Sequence, residues 1–309
     1  MTNLSHVLAI DLGGTKIEAA VVDSTGAIVP GTRFRQPTGA DASSDDLAAS
    51  ADRVVADAVA ALPAGLTISG VGIGTAGPVA EGLVSPLNLP AWRDYPLRDR
   101  VAASFPGLPV VLRMDGECIA LAEEWVGAAQ GARNLLGMVV STGIGGGLIL
   151  DGRAIAGPTG NAGHIGHIEV GGFDDACLCG GTGCVEAVAS GPNTTRWAQA
   201  QGWSGASGED LAKSYAAGDP IAIAAVKRAG RAIGQAIASA TALVDLEVVA
   251  IGGGFSHVSS DLFDYVRAAI AERSAFAFVA KVRVVPSGLS GDGPLVGAAA
   301  LIHRADRIA

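Results

Sequence analysis

Twice in this chain a short, apolar, β-prone run ends in a cluster of glycines and then resumes as a second apolar run. Residues 6–11 (HVLAID) enter Gly13-Gly14 and resume over 17–22, and residues 137–141 enter Thr142-Gly143-Ile144-Gly145-Gly146-Gly147 and resume over 148–150. Such runs, punctuated by glycine, predict strands joined by tight turns. The same pattern in two distant places points to a duplicated α/β unit whose halves face each other across a cleft. Helical spacing of apolar residues over 43–62, 118–126, 208–216, 220–244 and 262–273 predicts helices, with Ser43 or Ser44 capping the first. Further strands are expected over 27–29, 68–73, 108–112, 247–251 and 281–285, and a terminal helix from 297.

Composition narrows the function classes. Apolar residues make up 49% and charged residues 17% of 309, which excludes a disordered chain and supports two cores. The net charge of -9, with no long basic run, excludes nucleic acid and anionic membranes as partners. Residues 1–6 lack a basic start followed by an apolar stretch, and the most apolar long segment, 221–249, is broken by Lys227, Arg228, Arg231 and Asp245. We therefore expect neither a signal peptide nor a membrane span, and a cytoplasmic protein.

Three glycine clusters follow predicted strands. In Asp11-Leu12-Gly13-Gly14-Thr15-Lys16 the glycines let main-chain amides approach phosphate oxygens, Thr15 adds a hydroxyl, Lys16 adds charge, and Asp11 can hold Mg²⁺. A plain hairpin turn accounts for the same residues, and the spacing is not that of a Walker loop. Residues 141–147 (STGIGGG) hold four glycines within five positions next to Thr142, more than a turn alone needs. Gly252-Gly253-Gly254 is either a strand-to-helix turn or a flat surface for adenosine. Asp115 ends a predicted strand, where ligands gather in open α/β sheets. It suits a base that accepts a hydroxyl proton, although locally a helix N-cap is the simpler reading.

His167, Cys177, Cys179 and Cys184 form His-x9-Cys-x-Cys-x4-Cys. Three thiolates and one imidazole suit a closed, structural tetrahedral Zn²⁺ site. His164 and Glu186 flank this loop, which would aim them into the cleft toward sugar hydroxyls. Asn88, in the Pro-bounded segment 85–90, reads locally as a turn former.

Taken together, DLGGTK, STGIGGG, GHIGHIEV and CLCGGTGCVE resemble the ROK family of sugar kinases (repressor, open reading frame, kinase), within the actin/hexokinase/Hsp70 fold group. The resemblance implies a two-domain actin-like ATPase fold, ribonuclease H-like in each half, with ATP and sugar in the cleft. It implies a first domain over 1–117 completed by a helix over 297–309, and a larger one over 118–296 carrying the zinc loop 164–186. It assigns Asp11, Gly13, Gly14, Thr15, Lys16, Thr142, Gly143 and Gly145 to the ATP phosphates, and Gly253 and Gly254 to adenosine. It makes Asp115 the catalytic base and gives sugar contacts to Asn88, Asp115, His164, His167 and Glu186, with His167 shared by the zinc. A homodimer is implied too. The family's repressors carry a helix-turn-helix before the first glycine turn; Asp11 stands too near residue 1 for one to be expected.

Three positions depart from the family pattern: Met114 stands where Asn usually precedes the catalytic Asp, His164 where many glucokinases have Glu, and Glu117 where Asn or Gln is common. The expected function is ATP-dependent phosphorylation of a hexose or hexosamine at O6, glucokinase-like by default. The AGHIGH run is similar to N-acetylmannosamine kinases, which makes that the alternative, and a non-catalytic sugar sensor is the third reading.

Overall fold

The computed structural model describes residues 5–273 and 275–308; residues 1–4, part of the segment read for a leader, and residue 309 at the end of the terminal segment lie outside them. The chain begins with strands β1 (His6–Leu12), β2 (Lys16–Asp23) and β3 (Phe34–Pro37), then helix α1 (Ser44–Ala60) and strand β4 (Ile68–Thr75). A two-residue-per-strand hairpin, β5 (Val79–Ala80) and β6 (Leu83–Val84), precedes α2 (Leu97–Ala103), β7 (Val110–Met114) and α3 (Asp115–Trp125). The pattern then restarts with β8 (Leu135–Val140), β9 (Ile144–Leu150) and β10 (Arg153–Ala154). Helices α4 (Val185–Ala189), α5 (Gly191–Ala200), α6 (Gly208–Ala216) and α7 (Pro220–Val244) lead to β11 (Val248–Gly252), α8 (Asp261–Arg273), α9 (Ala277–Ala280), β12 (Arg283–Pro286) and α10 (Gly293–His303).

The duplication expected from the glycine pattern is present in the topology. The first sheet runs β3-β2-β1-β4-β7 and the second β10-β9-β8-β11-β12. In each, three strands meander antiparallel and two more join parallel to the first. Helix α1 starts on a capping box: Ser43 Oγ accepts the Asp46 amide at 3.2 Å and Asp46 returns the bond to the Ser43 amide at 3.3 Å. Its Leu47, Ala51, Val54 and Ala58 recur at helical spacing and are buried against the first sheet. Helix α7 is capped by Asp219, whose Oδ1 accepts the Ile221 and Ala222 amides at 2.8 and 2.9 Å, and Pro220 fits the first turn. It anchors the second core, with α8 packed along it.

One expected strand is absent. Over 27–29 only Ile28 makes a bridge, to Val22, and the third strand forms later at Phe34–Pro37. Buried Thr32 explains the shift: its hydroxyl donates to the Val29 carbonyl at 2.7 Å and accepts the Val21 amide at 3.0 Å, folding the chain into a turn there. Helix α10 starts at Gly293, four residues earlier than expected, and packs on α3, β1 and β4. Helix α3 lies between the two sheets, touching α10 as well as β8 and β9. Among the described residues, no helix is long and apolar enough to cross a membrane.

Candidate functional site

Parallel strands β1, β4 and β7 lie side by side and end together, which sets Asp11 and Asp115 at the same edge of the first sheet. Asp11 pairs in register with Gly74 of β4 and Glu18 of β2. The local expectation that Asp115 caps α3 is not met. Met114 occupies the cap position, and Asp115 is the first helical residue, its Oδ1 accepting the Gly116 amide at 2.7 Å. The extended backbone of Met114 continues β7 straight into the helix, so no separate cap residue is interposed.

Both carboxyls titrate high. Burial pushes Asp115 up to about 6, against the Gly116 hydrogen bond that favours its ionised form. Asp11 rises to about 7, first through burial and then through the charge of Asp115, while Lys16 pulls it back. No donor among the described residues reaches the Asp11 carboxyl, a buried acid next to a second acid. A divalent cation fits that donor set, since it would supply the missing opposite charge.

The first glycine turn is closed by Gly13, whose amide donates to the Lys16 carbonyl at 2.9 Å. Thr38 braces it, its hydroxyl donating to the Gly13 carbonyl at 2.8 Å and its amide to the Thr15 carbonyl at 3.0 Å. Thr15 is exposed. Lys16 pairs with buried Glu18, which also takes Arg33 and Arg35 at 3.3 and 2.7 Å. Asn88 is exposed and lies over this turn, close enough that a Cβ on Gly14 would collide with its amide.

The second and third glycine clusters adjoin. The Ser141 amide donates to the Gly143 carbonyl at 2.9 Å, and the Ser141 carbonyl accepts the Gly191 amide at 2.8 Å. Exposed Thr142 forms the tip. Gly253 sits at φ +94°, where a Cβ would stand 2.5 Å from the Val140 carbonyl, and a Cβ on Gly254 would lie 3.8 Å from Ser141 Oγ. Gly145 continues the tip into β9.

His167 Nδ1 lies 3.6 Å from Cys177 Sγ, Cys179 Sγ lies 3.6 Å from Cys184 Sγ, and all four donor atoms fall within 4.8 Å of one another. Tetrahedral zinc with Zn–S near 2.3 Å spaces its ligands about 3.6–3.8 Å apart, so the set fits. The His164 ring centroid is 5.8 Å from that of His167, and burial holds the His164 pKa below the ordinary value while the nearby Glu186 opposes this. A Cβ on Gly77 would stand 2.7 Å from Met114 Sδ and 3.5 Å from His164 Nε2, so Met114, the neighbour of Asp115 in the chain, and His164 converge on Gly77. Glu186 approaches Gly143 and Ile144 of the second turn.

Three features of the site were not foreseen. Glu18 with its cations, and Thr38 beneath the first turn, come from β2, β3 and the residues flanking β3, partners that only the register reveals. Glu117 is buried with both oxygens lacking a hydrogen-bond donor, 3.5 Å from Arg113, and burial raises it to about 7. The helix expected over 118–126 left Glu117 just outside it, whereas α3 starts at Asp115 and turns that side chain inward.

Comparison with known proteins adds to this geometry. The model of the ROK family matches residues 7–305. An N-acetylmannosamine kinase of Yersinia pseudotuberculosis serotype O:1b is 33% identical over 299 residues, covering 94% of this chain and 96% of that one. The crystal structure of a ROK family glucokinase from Streptomyces griseus, in complex with glucose and AMPPNP, superposes with TM-score 0.81 at 31% identity, covering 97% of this chain and 99% of that one. A ROK hexokinase from Thermus thermophilus gives TM-score 0.77 at 32% identity, covering 95% and 96%.

Proposed function

Because this chain belongs to the ROK family, we propose that it is an ATP-dependent sugar kinase acting on a hexose or hexosamine at O6. The observation that carries the reading is the pair Asp11 and Asp115 at one sheet edge, with one glycine turn joining β1 to β2 of that sheet and the second joining β8 to β9 of the other. In this reading the sugar hydroxyl gives its proton to the Asp115 carboxylate as its oxygen bonds to the γ-phosphorus, and the bond from that phosphorus to the ADP oxygen breaks. The turns of Gly13, Gly14, Thr15 and Lys16, and of Thr142, Gly143 and Gly145, hold the phosphates; Gly253 and Gly254 face adenosine. Magnesium, held through Asp11, neutralises phosphate charge when bound. Asn88, His164, His167 and Glu186 orient the sugar, and His167 with the three cysteines holds a structural zinc. Positioning and electrostatics supply the rate, since the transferred group needs little covalent help.

We divide the chain into a domain over 1–117 completed by the C-terminal segment from about 297, which carries most of α10, and a second over 118–296, and we expect a cytoplasmic homodimer. N-acetylmannosamine is the favoured alternative to glucose, supported by His164 and by the 33% identity to the Yersinia enzyme. A panel of sugars with ATP and Mg²⁺, read by ADP release, tests both readings. ADP release with glucose or N-acetylmannosamine, abolished in Asp115→Asn, is expected. Silence with every sugar would leave a sugar sensor in place of a kinase.

A further inference from the structure

Glu186 is the second residue of α4, two after Cys184, so the cysteine loop fixes where its carboxylate stands. That carboxylate reaches the second glycine turn. Its Oε2 accepts the amide of Ile144 at 2.7 Å and would stand 2.7 Å from a Cβ on Gly143. Ile144 is 4% exposed, so its N–H needs an internal partner, and none of the turn's own carbonyls serves it. The same corner of chain secures the other side of the turn, through the Gly191 amide on the Ser141 carbonyl at 2.8 Å. Oε1 of Glu186 takes no bond among the described residues and stays available to a second partner.

We infer that Glu186 is a positioning residue for the nucleotide: it transmits the geometry of the metal loop to the Thr142–Gly145 turn, so that metal occupancy and Glu186 together set affinity for nucleotide in the absence of sugar. This rests on the kinase reading above, and on that turn holding phosphates. A sugar contact alone would change sugar affinity only. Removing the carboxylate orphans a buried amide and lets the turn relax, and Gly143 lacks a side chain because Glu186 fills that space.

The test is calorimetric titration of the full-length protein with AMPPNP and Mg²⁺, without sugar. Glu186→Ala should weaken binding by about tenfold, the scale of one unsatisfied buried donor, while Glu186→Gln, whose amide oxygen still accepts from Ile144, restores most of it. Stripping the metal with a chelator should weaken binding likewise, and added Zn²⁺ should recover it. Should Glu186→Ala fail to fold, judged by circular dichroism, the metal-stripped wild-type protein carries the test, because it frees the loop that sets Glu186 while leaving every residue of the turn in place. Unchanged AMPPNP affinity in the folded Ala variant, or after metal removal, overturns the inference. A wild-type protein that binds no AMPPNP instead removes the kinase reading, and this inference with it.

Discussion

A Cβ on Gly147 would overlap the carbonyl oxygen of Gly116, and a Cβ on Gly116 would overlap the carbonyl of Gly146. The helix that starts at Asp115 therefore rests directly on β9, backbone against backbone, and the two halves of the candidate site meet there without intervening side chains. Asp115 owes its position to two absent methyl groups.

Gly147→Ala should accordingly push α3 off β9. Overpacking of this kind costs about 1–3 kcal/mol, or more where only backbone can yield. Thermal unfolding should show a clear drop in Tm, and kcat should fall with it. A variant with wild-type Tm and turnover would mean that the contact is slack.

Asp115→Asn keeps the size of the side chain and its bond to Gly116 but cannot take a proton. Turnover should drop by at least ~10²-fold, the lower end of what a positioned base supplies, with little change in Tm. Near-normal kcat would remove Asp115 from the reaction.

The raised carboxyls give activity a pH dependence of definite sign. A base must be ionised, so kcat/KM should be lost as pH falls through the Asp115 value of about 6. Stability runs the other way. Asp11 and Asp115 hold protons in the folded state up to about 7 and 6, above the ordinary 3.8, so the stability they lend is full below 3.8 and is lost as pH rises through those values. In metal-free protein, Asp11→Asn should flatten the decline of Tm across roughly pH 4 to 7, between the unfolded and folded values of that carboxyl. A decline as steep as wild type would assign it to other groups.

Cys179→Ser should lose zinc and melt earlier, because a structural metal contributes folding free energy. Elemental analysis of the purified variant, beside its melting curve, decides the matter. Stoichiometric zinc retained in that variant would strike Cys179 from the ligand set.

The fold was legible where local signals repeat: glycine after strand, twice over, announced two like sheets, and the Cys and His spacing announced a compact metal-ligand cluster. What escaped depended on partners remote in sequence. Thr32, buried under β2, turned an expected strand at 27–29 into a bend, and its spacing alone held no hint of that. Asp115 read locally as a cap because Asp is favoured there; the shift of one position follows from the extended backbone of Met114. Glu186 stood beside the cysteines in sequence, but its bond to Ile144 bridges forty-two positions and belongs to tertiary structure.

Val7 and Ala9 of β1, with Ala20 and Val22 of β2, bury one face of the first sheet against Leu295, Ala298 and Ala299 of α10. During synthesis the ribosome delivers those strands first and their cover nearly three hundred residues later. Until α10 emerges, that face has only water or a chaperone to meet it, and pairing so distant closes slowly. Nascent chains halted before residue 293 should consequently be the species that aggregates or is captured by holdases, whereas the face of the second sheet that packs on α7 and α8 draws on residues 136–284 alone and can close beforehand.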